Sequence, residues 1–166
     1  ELMLSVNDFF SGCGGLSQGF KEAGFKIQVA VDNQEAFLKT FSHNFKDSQT
    51  RNLDLGDSNI LKDIPKSDIV VAGPPCQGFS LTGPRNIDDP RNKLYLSVFK
   101  TLKLTNPKAF VVENVRGLKT MWDGNVFKEI IKKFESAGYI VTESLLNSAD
   151  YGVPQIRHRV FIVGIK

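Results

Sequence analysis

The chain has 166 residues, 41% of them hydrophobic and 23% charged, which is enough to bury a sizeable core, so we expect one domain over residues 1–166. A net charge of +3 and a pI near 8.9 permit an anionic partner, but no block of Lys and Arg reaches the density of a basic nucleic-acid tail. Because the sequence has no secretory signal and no long apolar span, we expect a reducing, cytoplasmic setting and no membrane partner.

The first part of the chain reads as strand, tight loop, helix and strand. The run "LMLSVNDFF" predicts a strand that ends at the glycine-rich "SGCGG". Apolar residues then recur at helical spacing from Leu16 to Ala23, until Gly24 ends the pattern. "KIQVAVD" predicts a second strand, and Phe37 and Phe41 mark a helix after it.

The rest of the chain continues this alternation. The runs "DIVVAG" and "AFVVENV" are rich in β-branched residues, as are strands buried on both faces of a parallel sheet. Between them lies a predicted helix from Tyr95 to Leu102, and a further helix from Phe127 to Phe134 ends at "SAGY". "YIVTESLLN" and "RVFIVGI" predict two last strands. The pattern indicates an open α/β sheet, doubly wound and mostly parallel, with ligand sites at the carboxyl ends of its strands.

Two features at strand ends suit a nucleoside-like ligand. Gly12, Gly14 and Gly15 lack Cβ atoms, so a cofactor can lie against the main chain at the start of the first helix. Their spacing differs from GxGxxG, and a merely tight turn explains them equally well. Asp32 ends the second strand, where an acidic side chain accepts hydrogen bonds from ribose hydroxyls. The alternative is that Asp32 caps the next helix.

A cysteine occupies a stiff corner in "GPPCQGFS". Two prolines fix the backbone before Cys76, so its thiol is held in place and could act as a nucleophile if it gains thiolate character. The alternative is an inert, buried thiol. The other cysteine is Cys13, there is no CxxC, and only His43 and His158 offer imidazoles, so no metal site is expected.

Charged side chains follow two further strands. Glu113 ends "AFVVENV", where partial burial could raise its pKa toward that of a usable acid. It could instead cap a helix or pair with Arg116. In "YGVPQIRHRVF", Gln155, Arg157 and Arg159 alternate, so in an extended segment all three would point to one side. Such a face suits a phosphate, a base edge or carboxylates. The alternative is a solvated strand edge on which an arginine pairs with Glu113.

Taken in order, these segments resemble the motifs of the DNA cytosine-5 methyltransferases. "DFFSGCGG" resembles their first motif, "VDN" the second, "NLDL" the third, "GPPCQGFS" the fourth, "DDPRNKLY" the fifth, "ENV" the sixth and "QIRHR" the eighth. The resemblance implies a Rossmann-like methyltransferase fold that uses S-adenosylmethionine, releases S-adenosylhomocysteine and needs no metal. It also implies a prokaryotic setting and a role in restriction-modification.

The same resemblance implies roles for individual residues. Cys76 would attack C6 of cytosine, Glu113 would bind N3, and Arg159 with Arg157 would hold the base and the thiolate. Cofactor contacts are implied for Phe10, Gly12, Gly14, Gly15, Asp32, Asn33, Asp54, Leu55, Pro75 and Leu94. Substrate contacts are implied for Gln77, Ser80, Asn114, Val115 and Gln155.

The chain also departs from the family pattern. Asp32 and Asn33 stand where many relatives have Glu and an aromatic residue that stacks on adenine, so we expect weaker cofactor binding. The sequence stops at Lys166, before the family's target-recognition region and last two motifs. We therefore expect part of a longer, split or truncated enzyme, acting on a cytosine flipped out of double-stranded DNA. A second polypeptide could carry target recognition.

Two other functions remain open. The substrate could be a tRNA cytosine, because a branch of the family methylates RNA with similar motifs. The chain could also be a catalytically silent subunit with the cofactor fold that completes a partner. An adenine-N6 methyltransferase is disfavoured, because Pro-Pro-Cys replaces the Pro-Pro-aromatic element expected there.

Overall fold

The computed structural model describes residues 3–55, 63–75 and 94–166, but no side chain for Leu94, Met121 or Trp122. This part contains seven strands and four α-helices. The strands are β1 (Ser5–Phe9), β2 (Lys26–Asp32), β3 (Gln49–Asn52), β4 (Ile69–Ala72), β5 (Ala109–Val115), β6 (Ile140–Asn147) and β7 (His158–Ile165). The helices are α1 (Gly15–Glu22), α2 (Glu35–Asn44), α3 (Leu94–Thr105) and α4 (Asn125–Ser136).

The strands form one sheet in the order β3-β2-β1-β4-β5-β7-β6. The first five in this order pair in parallel, whereas β7 is antiparallel to both β5 and β6. This arrangement confirms the predicted α/β class with a mostly parallel sheet. The chain proceeds outward from β1 in one direction and from β4 in the other, so the crevice between these two strands is the topological switch point, where such sheets bind ligands.

Helices pack on both faces of the sheet. On one face, α3 and α4 contribute Val98, Leu102, Phe127, Ile130 and Phe134 to a core with alternate residues of the central strands. On the other face, Phe41 of α2 packs on Val6, Ala30 and Val71, with Leu16 and Phe20 of α1 beside them. Strand β4 is buried throughout, and β2 is buried from Val29 to Asp32, because these runs meet helices on both sides.

One strand was missing from the sequence-based expectation. Strand β3 has the polar sequence QTRN, is mostly exposed, and among the described strands pairs only with β2. An edge strand with little burial carries no apolar alternation, so periodicity could not find it. It nevertheless brings the following residues, Leu53 to Leu55, to the carboxyl end of β2, where the Leu53 amide donates to the Asp32 carbonyl.

Within the described residues, no helix is long and apolar enough to cross a membrane. The same residues contain no group of three His, Cys, Asp or Glu side chains that could hold a metal ion.

Candidate active site

The loop between β1 and α1 has an unusual backbone. Phe10, Gly12 and Gly14 all have positive φ, at 58°, 53° and 98°. Gly14 is required for packing, because a Cβ there would lie 2.5 Å from Cε2 of Phe45. Gly12 faces open space, with nothing within 4 Å of where its Cβ would be. The two glycines therefore differ in role: Gly14 lets the loop approach α2, whereas Gly12 leaves room for a ligand.

Asp32 ties this loop to the end of β2. Its side chain is 9% exposed. Oδ2 accepts a hydrogen bond from the Gly12 amide at 2.8 Å, and Oδ1 accepts one from the Gln34 amide at 2.9 Å. Gln34, not Asp32, is the N-cap of α2, so Asp32 closes a turn before the helix. A carboxylate has about four acceptor positions, which leaves capacity for a further donor such as a ribose hydroxyl.

A cavity of about 390 Å³ lies at the switch point, bounded by the loops after β1, β2, β3 and β4. Of the predicted cofactor residues, those that line it are Phe10, Gly12, Asp32, Asn33, Asp54, Leu55 and Pro75. Gly14 and Gly15 are not among its lining residues. The structure thus brings together side chains from four separate loops, as the strand-end argument predicts.

Sequence reasoning missed four residues that line the cavity: Gln34, Phe37, Leu53 and Gly73. Phe37 marked a helix in the sequence, but it is 45% exposed, whereas its neighbour Leu38 is buried. Helical periodicity could not separate the two, since both are apolar and adjacent. The structure separates them by showing that the Phe37 ring lines the same cavity as Asn33.

Glu113 forms an ion pair at the same edge of the sheet. Oε1 of Glu113 lies 2.9 Å from Nε of Arg159, and each side chain is about one quarter exposed. Burial raises the pKa of Glu113 above its usual value, and the nearby charges of Arg159 and Arg157 partly offset this rise. Of the partners considered from sequence, the structure therefore selects Arg159 instead of Arg116.

A second cavity, of about 570 Å³, contains this ion pair. Its polar side is formed by Glu113, Arg157 and Arg159, and its apolar wall includes Tyr151 and Phe161. Other lining residues are Gly15, Leu16, Gly19, Leu146, Ser148 and Val153. The combination of an apolar wall with one acidic and two basic groups suits a flat, polar heterocycle.

Gly73 lies close to residues of both cavities. It lines the first one, and a Cβ built on it would lie 3.8 Å from Oε2 of Glu113. Asn114, next to Glu113 and only 4% exposed, donates from Nδ2 to the carbonyl of Pro74 at 3.2 Å. The end of β5 therefore supports the proline corner that follows β4, and Asn114 lies beneath this corner.

The prediction of an extended segment from Gln155 to Arg159 is wrong for the residues before His158. The Gln155 amide donates to the carbonyl of Val153, and the Ser148 hydroxyl donates to the Gln155 carbonyl. These bonds close a turn, so β7 begins only at His158. Arg157 and Arg159 line the second cavity, whereas Gln155 is exposed and lines a shallow depression apart from it.

Several predicted residues are not tested by this geometry. Cys76, Gln77 and Ser80 lie outside the described residues, as does the Leu94 side chain. Val115 packs partly buried against the core on the α3 and α4 face. Cys13 is a free, exposed thiol.

Comparison with known proteins identifies the family. A family model described as C-5 cytosine-specific DNA methylase matches residues 4–166. The chain is 43% identical to the type II methyltransferase M1.HphI of Haemophilus parahaemolyticus, covering 99% of this chain and 46% of that protein. It is 44% identical to M.FnuDI of Fusobacterium nucleatum, covering 98% and 47%. The chain spans about half the length of the curated relatives it matches.

Solved structures show the same relationship. An E. coli protein described as a prophage-encoded DNA modification methyltransferase superposes with a TM-score of 0.83 at 34% identity, over 98% of this chain and 47% of that one. The S. pombe Dnmt2 methyltransferase shares the fold, with a TM-score of 0.76 at 20% identity over 99% and 50%. On the evidence of the matched model and relatives, this chain belongs to the C-5 cytosine-specific DNA methylase family.

Proposed function

We propose that residues 1–166 form one cofactor-binding and catalytic domain, which transfers a methyl group from S-adenosylmethionine to C5 of a cytosine flipped out of DNA. The observation that carries this proposal is the position of Gly73. It lines the cavity at the switch point and also approaches the carboxyl of Glu113 in the second cavity. A cofactor and a base bound on either side of Gly73 would therefore be neighbours.

The first cavity fits a nucleoside cofactor. Asp32 retains acceptor capacity toward a ribose, Gly12 leaves the main chain open, and Phe37 offers an aromatic surface for a purine. Phe37 would thereby supply the ring that the second motif lacks at Asn33. When bound, S-adenosylmethionine supplies an electrophilic methyl group attached to a sulfonium.

Cytosine C5 is a poor nucleophile, so we assign Cys76, which follows Pro75 directly in the sequence, the task of activating it. Its thiolate would form a bond to C6, and the π electrons of the C5–C6 bond would move to C5. C5 would then take the methyl group as the methyl–sulfur bond breaks and S-adenosylhomocysteine leaves. Transfer of the C5 proton to solvent base and loss of the thiolate then restore the double bond and release 5-methylcytosine.

Glu113 and Arg159 would stabilise the charge that develops on the base. Burial raises the pKa of Glu113, so its carboxyl gains a proton more readily than an exposed one and could then donate a hydrogen bond to N3. The guanidinium groups of Arg159 and Arg157 are placed in the same cavity, where they can donate to O2 and attract the thiolate.

The partner of the domain is proposed to be double-stranded DNA, from which the target base must leave the stack at a cost of a few kcal/mol. We assign the reading of the target sequence to parts outside the matched segment or to a second polypeptide. A cytoplasmic location remains a prediction.

The proposal is tested by trapping the covalent intermediate. With the target-recognition parts of the enzyme restored, a DNA duplex with 5-fluorocytosine as target should form a stable adduct with the chain in the presence of S-adenosylmethionine, because fluorine cannot leave C5 as a cation. We expect the adduct with Cys13→Ser, whose thiol is exposed and free, and none with Cys76→Ser. An adduct with a 5-fluorocytosine tRNA and none with DNA would assign the substrate to RNA. Failure to trap either substrate would favour the silent subunit.

A further inference from the structure

Asp8 is a fully buried carboxyl that the proposed reaction does not use. It lies on β1 between Ala30 of β2 and Val71 of β4. Ser17 of α1, which is equally buried, donates its hydroxyl to Oδ2 of Asp8 at 2.7 Å. Side chains on β1 and α1 are thus joined directly across the base of the glycine loop.

This contact closes the loop whose shape defines the cofactor cavity. Between Asp8 and Ser17 the chain contains the positive-φ residues Phe10, Gly12 and Gly14. Phe10 is the non-glycine residue among the three, and a non-glycine residue persists in the left-handed region where the surrounding structure fixes it. With the ends fixed, the Ser11 amide reaches the Val31 carbonyl and the Gly12 amide reaches Asp32.

The second oxygen of Asp8 is in an unusual position. Oδ1 of Asp8 is buried and has no hydrogen-bond partner within the described part of the chain, and the same holds for Oγ of Ser11. A buried, unpaired carboxylate oxygen is costly, whereas a proton on Oδ1 removes the charge and turns the atom into a donor. Burial raises the pKa of Asp8 to about 7 against the opposing hydrogen bonds from Ser17, and the negative charge of Asp32 adds to this rise.

We propose that Asp8 is a positioning residue of the cofactor site: as a neutral acid held by Ser17, it fixes the loop in the form that presents the Gly12 amide to Asp32. This inference rests on the proposed function only in taking S-adenosylmethionine as the ligand that binds beside the loop. Ionised Asp8 would place a second buried charge beside Asp32, and the loop would open to admit water.

The surroundings of Asp8 explain why Asp32 is the relevant charged neighbour. Strands β2 and β4 place Ala30 and Val71 opposite Asp8, and α1 contributes Ser17. Phe41 of helix α2 and Phe45, which caps the end of that helix, lie against Gly14 in the same loop. Asp32 on β2 is the charged group that acts on the Asp8 carboxyl.

The test is hydrogen exchange at the Gly12 amide, followed by NMR at about pH 6 and about pH 8.5, on either side of the Asp8 titration. The Gly24 amide, which bonds to the Lys21 carbonyl in a separate turn, corrects for intrinsic exchange. In the unmodified chain we expect protection of Gly12 to fall by about tenfold relative to Gly24 across this range. In Asp8→Asn the protection should be independent of pH, and in Ser17→Ala it should be low at both values.

Parallel pH dependence in the unmodified chain and Asp8→Asn would overturn the proposal, as would unchanged protection in Ser17→Ala. If Asp8→Asn does not fold, a ¹³C titration of the Asp8 carboxyl in the unmodified chain tests the proposal instead. Its midpoint should coincide with the loss of Gly12 protection, and a midpoint below about pH 5 would contradict the neutral acid.

Titration of the same samples with S-adenosylmethionine separates this inference from the proposed function. If protection of the Gly12 amide depends on pH but S-adenosylmethionine does not bind, the Asp8 contact is supported and the cofactor assignment is rejected. If S-adenosylmethionine binds but protection does not depend on pH, the cofactor assignment is supported and the role of Asp8 is rejected.

Discussion

Arg159 holds Glu113 diagonally across the antiparallel pair formed by β5 and β7. Nε of Arg159 lies 2.9 Å from Oε1 of Glu113, although Arg159 is directly opposite Val115 in the strand register. The pair is about three-quarters buried, and burial and the guanidinium act on the pKa of Glu113 in opposite directions. The protonation state of Glu113 therefore depends on Arg159.

Removing the guanidinium should raise the pKa of Glu113 further. In Arg159→Ala, burial still raises this pKa, and of the two opposing arginines only Arg157 is left. A ¹³C titration of the Glu113 carboxyl measures the shift. Arg116→Ala is the matched control, since Arg116 was the other candidate partner, and it should leave the midpoint unchanged. Equal midpoints in the unmodified chain and Arg159→Ala would show that the ion pair does not control Glu113.

Phe37→Ala should weaken cofactor binding without destabilising the fold. The ring is 45% exposed and lines the cavity beside Asn33, so its removal loses a stacking surface worth about 1 kcal/mol, or about fivefold in affinity. Calorimetric titration with S-adenosylmethionine and urea unfolding measure the two effects. Leu104→Ala, an equally exposed apolar residue on α3, should change neither. Unaltered affinity in Phe37→Ala would exclude stacking on this ring.

Gly14→Ala should destabilise the fold more than Gly24→Ala. Both glycines have positive φ, at 98° and 87°, so each substitution incurs backbone strain of about 1–2 kcal/mol. Only at Gly14 would the new Cβ also collide with Phe45, at 2.5 Å, whereas Gly24 has nothing within 4 Å. Overpacking adds about 1–3 kcal/mol. Urea unfolding measures the free energy of unfolding of both variants. Equal losses of stability would mean that the Phe45 side chain moves away from the new Cβ without an energetic cost.

Ionisation of the buried Asp8 carboxyl should lower the free energy of unfolding as pH rises. Its pKa is about 7 in the folded state and near 3.8 when exposed, so the folded form binds the proton more tightly. The stability it contributes is complete below pH 3.8 and is lost as pH rises toward about 7. The loss amounts to about 4 kcal/mol. Urea unfolding across this range should show a steeper decline in the unmodified chain than in Asp8→Asn. Parallel declines would contradict a raised pKa.

Most of the architecture could be predicted because its signals are local. Strands β2, β4 and β5 contain β-branched runs, of which β4 is fully buried and β5 alternates between buried and half-buried residues. The helices carry apolar residues at helical spacing. The convergence of Asp32, Pro75 and Glu113 at one edge then follows from the parallel sheet. Strand β3 was missed because its residues face solvent at the edge of the sheet.

The details of the site depend on tertiary contacts that sequence does not encode locally. Gly14 was assigned to the cofactor, yet its proximity to Phe45 accounts for its lack of a side chain. Gln155 was placed on a strand face, yet bonds to Val153 and Ser148 turn it away. Asp8 gave no signal at all, because an acidic residue within an apolar run reveals neither its burial nor its partner Ser17.

The most direct measurement of the central claim is calorimetric titration of the chain with S-adenosylmethionine, with Asp32→Ala and Asp47→Ala compared. Asp32 lines the proposed cofactor cavity, whereas Asp47 lines a separate depression beside Lys46. The account predicts saturable binding by the unmodified chain and by Asp47→Ala, and a loss of at least about tenfold in affinity for Asp32→Ala, since charge-assisted hydrogen bonds contribute about 1.5–3 kcal/mol. Equal affinity in all three folded proteins, or no binding by any of them, would contradict it.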